Sequence, residues 1–338
     1  MNATTKNREI RLASRPEGEP TAANFELATV DIREPGEGDV LVRNVFMSVE
    51  PYMRGRMKDG KSYVPPFKLG EVMSGGAIGR VVRSRSGKLR EGTWVQHELG
   101  WRDYATAPVA MFRAIPVELA RPSLFLGALG GPGLTAYVGL HDIGHVEAGD
   151  VVFVSSAAGA VGSMAGQIAK LAGATVIGSA GGPEKVDYLT ETLKFDAAFD
   201  YKRGHIVKQL AEAAPNGIDL YFDNVGGEQL EAALFALNDF GRIVACGAIA
   251  SYSEPVPGPR NLAFVVGKRL TMRGFIILDH LARMHDFVRD IGPLIHAGKI
   301  VSPETIVDGL ENAPQAFLDL MRGGTHLGKV IVRIGADD

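Results

Sequence analysis

The apolar positions of this chain change rhythm near residue 126. Before that point they form short β-type runs at 39–45, 79–82 and 93–96. Glycine and proline turns separate the runs, as in Glu-Pro-Gly-Glu-Gly-Asp at 34–39. This pattern predicts a mostly β domain without a long helix. Beyond 126, β-type runs at 151–155, 175–178, 197–200, 218–222, 241–245 and 270–275 alternate with helical stretches. The helices are expected up to Leu171 and over 184–192, 205–213 and 228–237. Val161, Met164, Ile168 and Leu171 recur at helical spacing and predict one buried face. Strands alternating with helices imply a doubly wound parallel sheet of the α/β class, covered on both faces. A helix over 314–321 and a strand over 329–334 close the chain. The strand is expected to return to the first domain, giving domains of 1–125 and 126–300 and a return segment of 301–338. Two crossings would leave a cleft of the kind in which ligands meet.

Composition narrows the class. A chain of 338 residues with 46% hydrophobic content suits about two globular domains. The net charge of −3 offers no broad basic surface for nucleic acid. The single cysteine, Cys246, excludes an intramolecular disulfide and any multi-cysteine zinc cluster. No apolar run approaches the roughly 20 residues that span a bilayer. The start, Met-Asn-Ala-Thr-Thr-Lys, lacks an apolar signal region, so a cytoplasmic protein is expected. The 42 glycines carry no period and read as turn glycines rather than as a repeat.

The candidate chemistry begins at 151–163, Val-Val-Phe-Val-Ser-Ser-Ala-Ala-Gly-Ala-Val-Gly-Ser. An apolar strand meets a cluster of small residues, and a helix starts. Ala-Ala-Gly-Ala-Val-Gly at 157–162 reads as the dinucleotide fingerprint with alanine in the first glycine slot. Ala157 keeps the turn tight, Gly159 lets a pyrophosphate approach, and Gly162 lets the helix pack closely. The N–H groups of Ala158, Gly159, Ala160, Val161 and Gly162 are the candidate anion contacts at the helix N-terminus. An NAD site would place a carboxylate about 20 residues on. Here the second strand leads into Gly-Ser-Ala-Gly-Gly-Pro at 178–183, without an acid, and Lys185 follows. Lys185, with Ser179 before it and Tyr201 after the third strand, favours the 2′-phosphate of NADP(H).

Several motifs together resemble the zinc-independent medium-chain dehydrogenase/reductases, in the branch of prostaglandin, curcumin and alkenal double-bond reductases. They are Ala-Ala-Gly-Ala-Val-Gly at 157–162, Gln-Ile-Ala-Lys at 167–170, Tyr-Phe-Asp-Asn-Val-Gly-Gly at 221–227 and Gly-Arg-Ile-Val-Ala-Cys-Gly-Ala-Ile at 241–249. Glu-Pro-Tyr-Met-Arg at 50–54, Gly-Leu-Thr-Ala-Tyr at 133–137 and Leu-Gly-Lys-Val-Ile-Val at 327–332 add to them. The resemblance implies a GroES-like β domain, a Rossmann domain and a C-terminal return. It implies NADPH-dependent reduction of the carbon–carbon double bond of enones and enals by a cytoplasmic homodimer. By position it assigns Thr135, Lys185, Tyr201 and Asn224 to the cofactor. It adds Cys246, Gly247, Ala248, Ile249 and Tyr252 along the nicotinamide ribose, and Phe275, Ile276 and Ile277 at the carboxamide. Two positions depart from the branch. His326 stands where asparagine is usual, and Gly267 where the mammalian prostaglandin reductases carry a substrate-facing tyrosine, so prostaglandin specificity is not expected.

Reducing an enone needs hydride at the β-carbon and a hydrogen-bond donor for the charge that develops on the carbonyl oxygen. Tyr52 and the cofactor's own ribose hydroxyl are the candidate donors, and Tyr63 is a second pocket residue. Solvent can supply the proton to the α-carbon. A zinc site is not expected. The zinc-dependent relatives carry Gly-His-Glu where this chain reads Gly-Glu-Val at 70–72, and His141 and His145 lack a third ligand and read as solvated turn residues. A quinone reductase of the same superfamily, or a non-catalytic NADPH-binding protein, remains an alternative.

Overall fold

A computed structural model describes residues 6–335. The chain divides into two units, one of 1–126, 304–324 and 330–338, the other of 127–303 and 325–329. In the first, the sheet runs Glu304–Asp308, Lys329–Arg333, Asp39–Ser48, Ala77–Ser84, Trp94–His97 and Arg113–Ala114, with Tyr104–Pro108 also on Asp39–Ser48. The closing strand pairs antiparallel with Asp39–Ser48, setting Ile331 opposite Ser48. Its core joins Met47, Met53, Met57, Met73 and Trp101 to Phe317 of the helix Ala313–Met321.

The strands Lys6–Leu12 and Phe25–Asp31, an antiparallel pair, are not evident from hydropathy. Polar residues occupy inward positions there. Asn7 is buried and accepts the N–H of Tyr104, and Glu9 is buried and accepts the guanidinium of Arg11. The long strand runs three residues past its expected end at 45, because Phe46, Met47 and Ser48 are buried with the rest.

The second unit holds six parallel strands. Their order is Ala197–Asp200, Thr175–Ala180, Val151–Val154, Ile218–Asp223, Leu237–Ala245 and Thr271–Gly274. Counted along the chain this is 3-2-1-4-5-6, the Rossmann order, with the switch point between the first and fourth strands.

The helix Ala160–Leu171 corrects the amphipathic reading. Residues 162–169 are all buried, and Leu171 is half exposed. Small residues allow this: Gly162, Ala165, Gly166 and Ala169 let neighbours close in on every side. The one long polar side chain, Gln167, is satisfied by the N–H and the carbonyl of Val301. Two other boundaries move. The helix Pro183–Asp187 widens into a broader turn over Tyr188–Thr192. The strand Leu237–Ala245 begins at once where the helix Gly227–Ala236 ends. His141 also lies on a helical turn, with its ring edge on Tyr137 at 4.7 Å, rather than in a loop.

Candidate functional site

The first strand of the second unit ends in a turn built on backbone contacts. Ala157 N–H donates to the carbonyl of Ser179 at 2.9 Å, and Gly159 N–H to that of Ser156 at 3.0 Å. The helix then starts at Gly159 with no side-chain cap. Its first N–H groups therefore point outward from a helix end, where an anion is favoured. Gly162 is required by this packing: a β-carbon there would stand 2.4 Å from the carbonyl oxygen of Ser156. Alanine suffices at 157 and 158, both buried. Gly328 donates to the carbonyl of Ala158 at 2.8 Å, which brings the 326–328 segment, with His326, alongside the turn.

At the ends of the second and third strands lies a cationic corner. Burial, and then the charge of Lys202, lowers the ammonium pKa of Lys185. Tyr201 N–H donates to the carbonyl of Ala180, and the Lys202 Nζ stands 6.0 Å from the Tyr201 ring centre. Gly181 closes the corner; its β-carbon would lie 2.8 Å from Lys202 Cε and 3.1 Å from the Tyr201 ring. Lys202 is absent from the sequence-based set, although a cation directly after a strand-end tyrosine was a readable signal. Ser179 is fully buried, with its hydroxyl on Gln229, so its side chain does not face this corner. Thr135 sits on the helix Gly131–Val138, half-buried, with its hydroxyl on the carbonyl of Gly131.

The fourth and fifth strands end side by side. Asn224 directs its amide N–H to the carbonyl of Ser155 at 2.7 Å. The N–H groups of Cys246 and Gly247 both donate to the carbonyl of Asp223 at 2.9 Å. Burial, and then Asp223, pushes the Cys246 thiol up to about 12, which leaves it a poor nucleophile. The loop continues through Ala248 and Ile249 to Tyr252, whose oxygen accepts the N–H of Ala248 at 3.4 Å. After the sixth strand, Phe275 packs toward Gly139, and Ile276 and Ile277 are half-buried. Gly267 ends the helix Ala263–Gly267 and faces open space.

In the first unit, Tyr52 precedes the short helix Met53–Arg56 and is half-buried. Its phenol is held well above the usual range, first by burial and then by the charges of Glu50 and Glu98, against the pull of Arg56. Ser48 donates to Glu50 at 2.6 Å. Arg56 is anchored on the carbonyl of Pro65 and the hydroxyl of Ser74 and covers the Phe67 ring at 4.0 Å. Burial, and then Glu50, pushes the Glu98 carboxyl up to about 7. Tyr52 is thus a neutral donor among two acids and one arginine. Glu50, Glu98 and Arg56 escaped the sequence reading because 98 and 56 meet only through the fold. Tyr63 lies on an exposed loop, 56% accessible.

Among the described residues, no group of three histidine, cysteine or carboxylate side chains could hold a metal ion. Residues 8–115 match a family model described as the N-terminal domain of oxidoreductase, and 160–291 one described as zinc-binding dehydrogenase. The chain is 45% identical to the NADPH-dependent curcumin reductase of Escherichia coli over 98% of both proteins. It is 37% identical to the NADP(+)-dependent 2-alkenal reductase of Nicotiana tabacum over 100% of both. The crystal structure of CurA from Vibrio vulnificus in complex with NADPH superposes with a TM-score of 0.92 at 44% identity, covering 97% of this chain and 99% of that one.

Proposed function

We propose that this chain, which belongs to the medium-chain dehydrogenase/reductase superfamily in its branch of curcumin, prostaglandin and alkenal reductases, reduces the carbon–carbon double bond of α,β-unsaturated ketones or aldehydes with NADPH. One observation carries the reading: its end-to-end likeness to reductases of curcumin and of 2-alkenals.

NADPH supplies the hydride when bound. The chain's own residues hold and orient. The uncapped helix end at 159–162 takes the pyrophosphate. Lys185, Lys202 and Tyr201 would hold the 2′-phosphate, the two lysines supplying charge-assisted donors beside the carboxylate of Asp200. Asn224, the 246–252 loop and the backbone at 275–277 take the nicotinamide end. Tyr52 would keep its proton and donate a hydrogen bond to the carbonyl oxygen of the substrate, stabilising the negative charge that reduction of the double bond places there. Its high pKa supports the role of donor rather than acid, and water delivers the α-proton. Tyr63 lines the substrate side.

We also propose a homodimer. All four residues of the edge strand Thr271–Gly274 are exposed, and Phe240, Val266 and Met272 nearby are exposed apolar side chains. A second copy would cover both the open edge and the apolar surface. No helix among the described residues is long and apolar enough to cross a membrane. The single cysteine supports a cytoplasmic setting, and the acidic net charge speaks against a nucleic-acid partner.

The test is NADPH oxidation with a panel of enones, enals and quinones. Turnover of enones with saturation of the double bond, shown by mass, is the expected result. Quinone turnover alone, or NADPH binding with no turnover of any activated alkene, overturns it.

A further inference from the structure

The residue just before Asn224 is not needed for contact with a ligand, yet more of the strand-end geometry converges on it than on any neighbour. Asp223 closes the fourth strand and is 2% exposed. Its Oδ1 accepts the phenol of Tyr221 at 2.8 Å and the N–H groups of Val225 at 2.9 Å and Gly226 at 2.7 Å. The Ser155 hydroxyl stands at 3.5 Å from the same oxygen. The carbonyl of Asp223 holds the fifth strand's exit through Cys246 and Gly247. Ser155 in turn receives the backbone N–H of Asn224 on its hydroxyl at 2.9 Å, and the Asn224 amide on its carbonyl. One buried residue therefore ties three strand ends together: its carboxylate reaches Ser155 after the first strand and the 225–226 turn after the fourth, and its main-chain carbonyl holds the fifth.

The local sequence is built for this. Gly226 has φ 71° and Gly227 φ 53°, left-handed values that turn the chain into the helix Gly227–Ala236 directly after the two N–H groups that reach the carboxylate. Among the described residues, the donors on the Asp223 carboxylate are a phenol, a hydroxyl and two backbone N–H groups, with no cation. Burial raises its pKa, and the N–H groups of Gly226 and Val225 lead the donors that oppose the rise. A buried acid without a cation is costly unless hydrogen bonds satisfy it. Its place under Asn224 and the 246–252 loop gives that cost a function.

We propose that Asp223 is a positioning residue for the nicotinamide half of the cofactor: it fixes Asn224 and the 246–252 loop without touching the ligand. The proposal rests on the NADPH reading above. It separates the two ends of the site. The adenosine corner at Lys185, Tyr201 and Lys202 hangs on the second and third strands and shares none of these hydrogen bonds.

The test compares NADPH with 2′,5′-ADP, which carries only the adenosine end, by calorimetry on the full chain. Asp223→Ala is expected to weaken NADPH by about tenfold or more and to leave 2′,5′-ADP within about twofold. Asp223→Asn keeps an acceptor oxygen and is expected to recover most of the loss. Tyr221→Phe keeps the carboxylate and is expected to weaken NADPH less than Asp223→Ala does. Unchanged NADPH affinity in Asp223→Ala, or equal loss of both ligands in a folded variant, overturns the proposal. If Asp223→Ala does not fold, the same two ligands on Tyr221→Phe decide: NADPH weakened selectively supports the role, and affinity unchanged or lost alike for both overturns it. Wild-type protein that fails to bind NADPH sinks the cofactor reading instead, which keeps the two failures distinct.

Discussion

Lys202 stands close enough to Lys185 for its charge to add to burial in lowering the ammonium pKa of Lys185. Two like charges at one corner are unfavourable without an anion. In the function proposed above, the 2′-phosphate of NADPH would be the anion that relieves them. Lys185→Ala is expected to lower NADPH affinity by about ten- to a hundredfold, the range for losing a charge-assisted hydrogen bond, with little change for NADH. Lys202→Ala should act in the same direction. Titrations with both cofactors check this. Equal losses for NADPH and NADH would show that the lysines do not meet the phosphate.

Tyr52→Phe removes the donor and leaves the ring. Steady-state kinetics should show turnover lowered by about ten- to a hundredfold, with NADPH affinity unchanged, if the phenol stabilises charge in the transition state. The half-buried ring keeps its packing on the methionine-rich core, so thermal stability should hold. Unchanged turnover removes Tyr52 from the mechanism.

Glu98 makes a pH-dependent neighbour for that phenol. Its carboxyl sits near 7, pushed up by burial and then by Glu50, with Arg56 pulling it down. Between the ordinary value of about 4.5 and about 7, the folded protein therefore holds a proton that the unfolded chain has released. Stability from this group is complete below that window and is lost as pH rises through it. Denaturant titrations at a series of pH values should show a shallower decline across this window for Glu98→Gln. An identical pH dependence in the variant and the parent would mean that the Glu98 carboxyl ionises at its ordinary pH.

The legible and illegible parts of the molecule divide on physical grounds. The strand–turn–helix at 151–162 was readable because the turn needs small residues in sequence. That the sheet is parallel follows from the alternation of strands and helices, whereas the strand order is seen only in the fold. Lys185 and Tyr201 are local features of strand ends. The Tyr52 cluster is different: Glu98 follows the strand Trp94–His97, and only the fold brings it near Glu50. Lys6–Leu12 was hidden because Asn7 and Glu9 are buried and hydrogen-bonded, which erases the hydrophobic alternation. Leu171 misled because glycine and alanine, not large apolar residues, decide how the helix Ala160–Leu171 is buried.

Gly267 faces open space, with nothing within 4 Å of the position its β-carbon would take. Gly267→Tyr should therefore fold with an unchanged melting temperature. The resemblance to the reductase branch implies that this position lines the substrate pocket, so the variant should change the ratio of kcat/KM between bulky and small enones by about tenfold. Competition assays with one substrate of each size read the ratio directly. No shift in the ratio would separate position 267 from substrate selection.

The ring of Phe195 occupies the space that a side chain at Gly166 would need. A β-carbon at 166 would lie 1.9 Å from Phe195 Cζ, and one at Gly178 would lie 2.9 Å from Phe195 Cδ2. The ring thus fills a slot opened by a helix glycine and a strand glycine. Helix propensity alone predicts that Gly166→Ala stabilises by up to about 1 kcal/mol. Overpacking of a filled core costs about 1–3 kcal/mol, and here the contact is with a buried ring that has no free end to swing. The net expectation is destabilisation, read as a lower melting temperature. Phe195→Leu alone should also destabilise, by about 1 kcal/mol or more, through the space it empties. In the double variant the alanine methyl enters that space, so the combined loss should be smaller than the sum of the two. A Gly166→Ala protein more stable than the parent, or strictly additive losses, would show that helix and ring can part without cost.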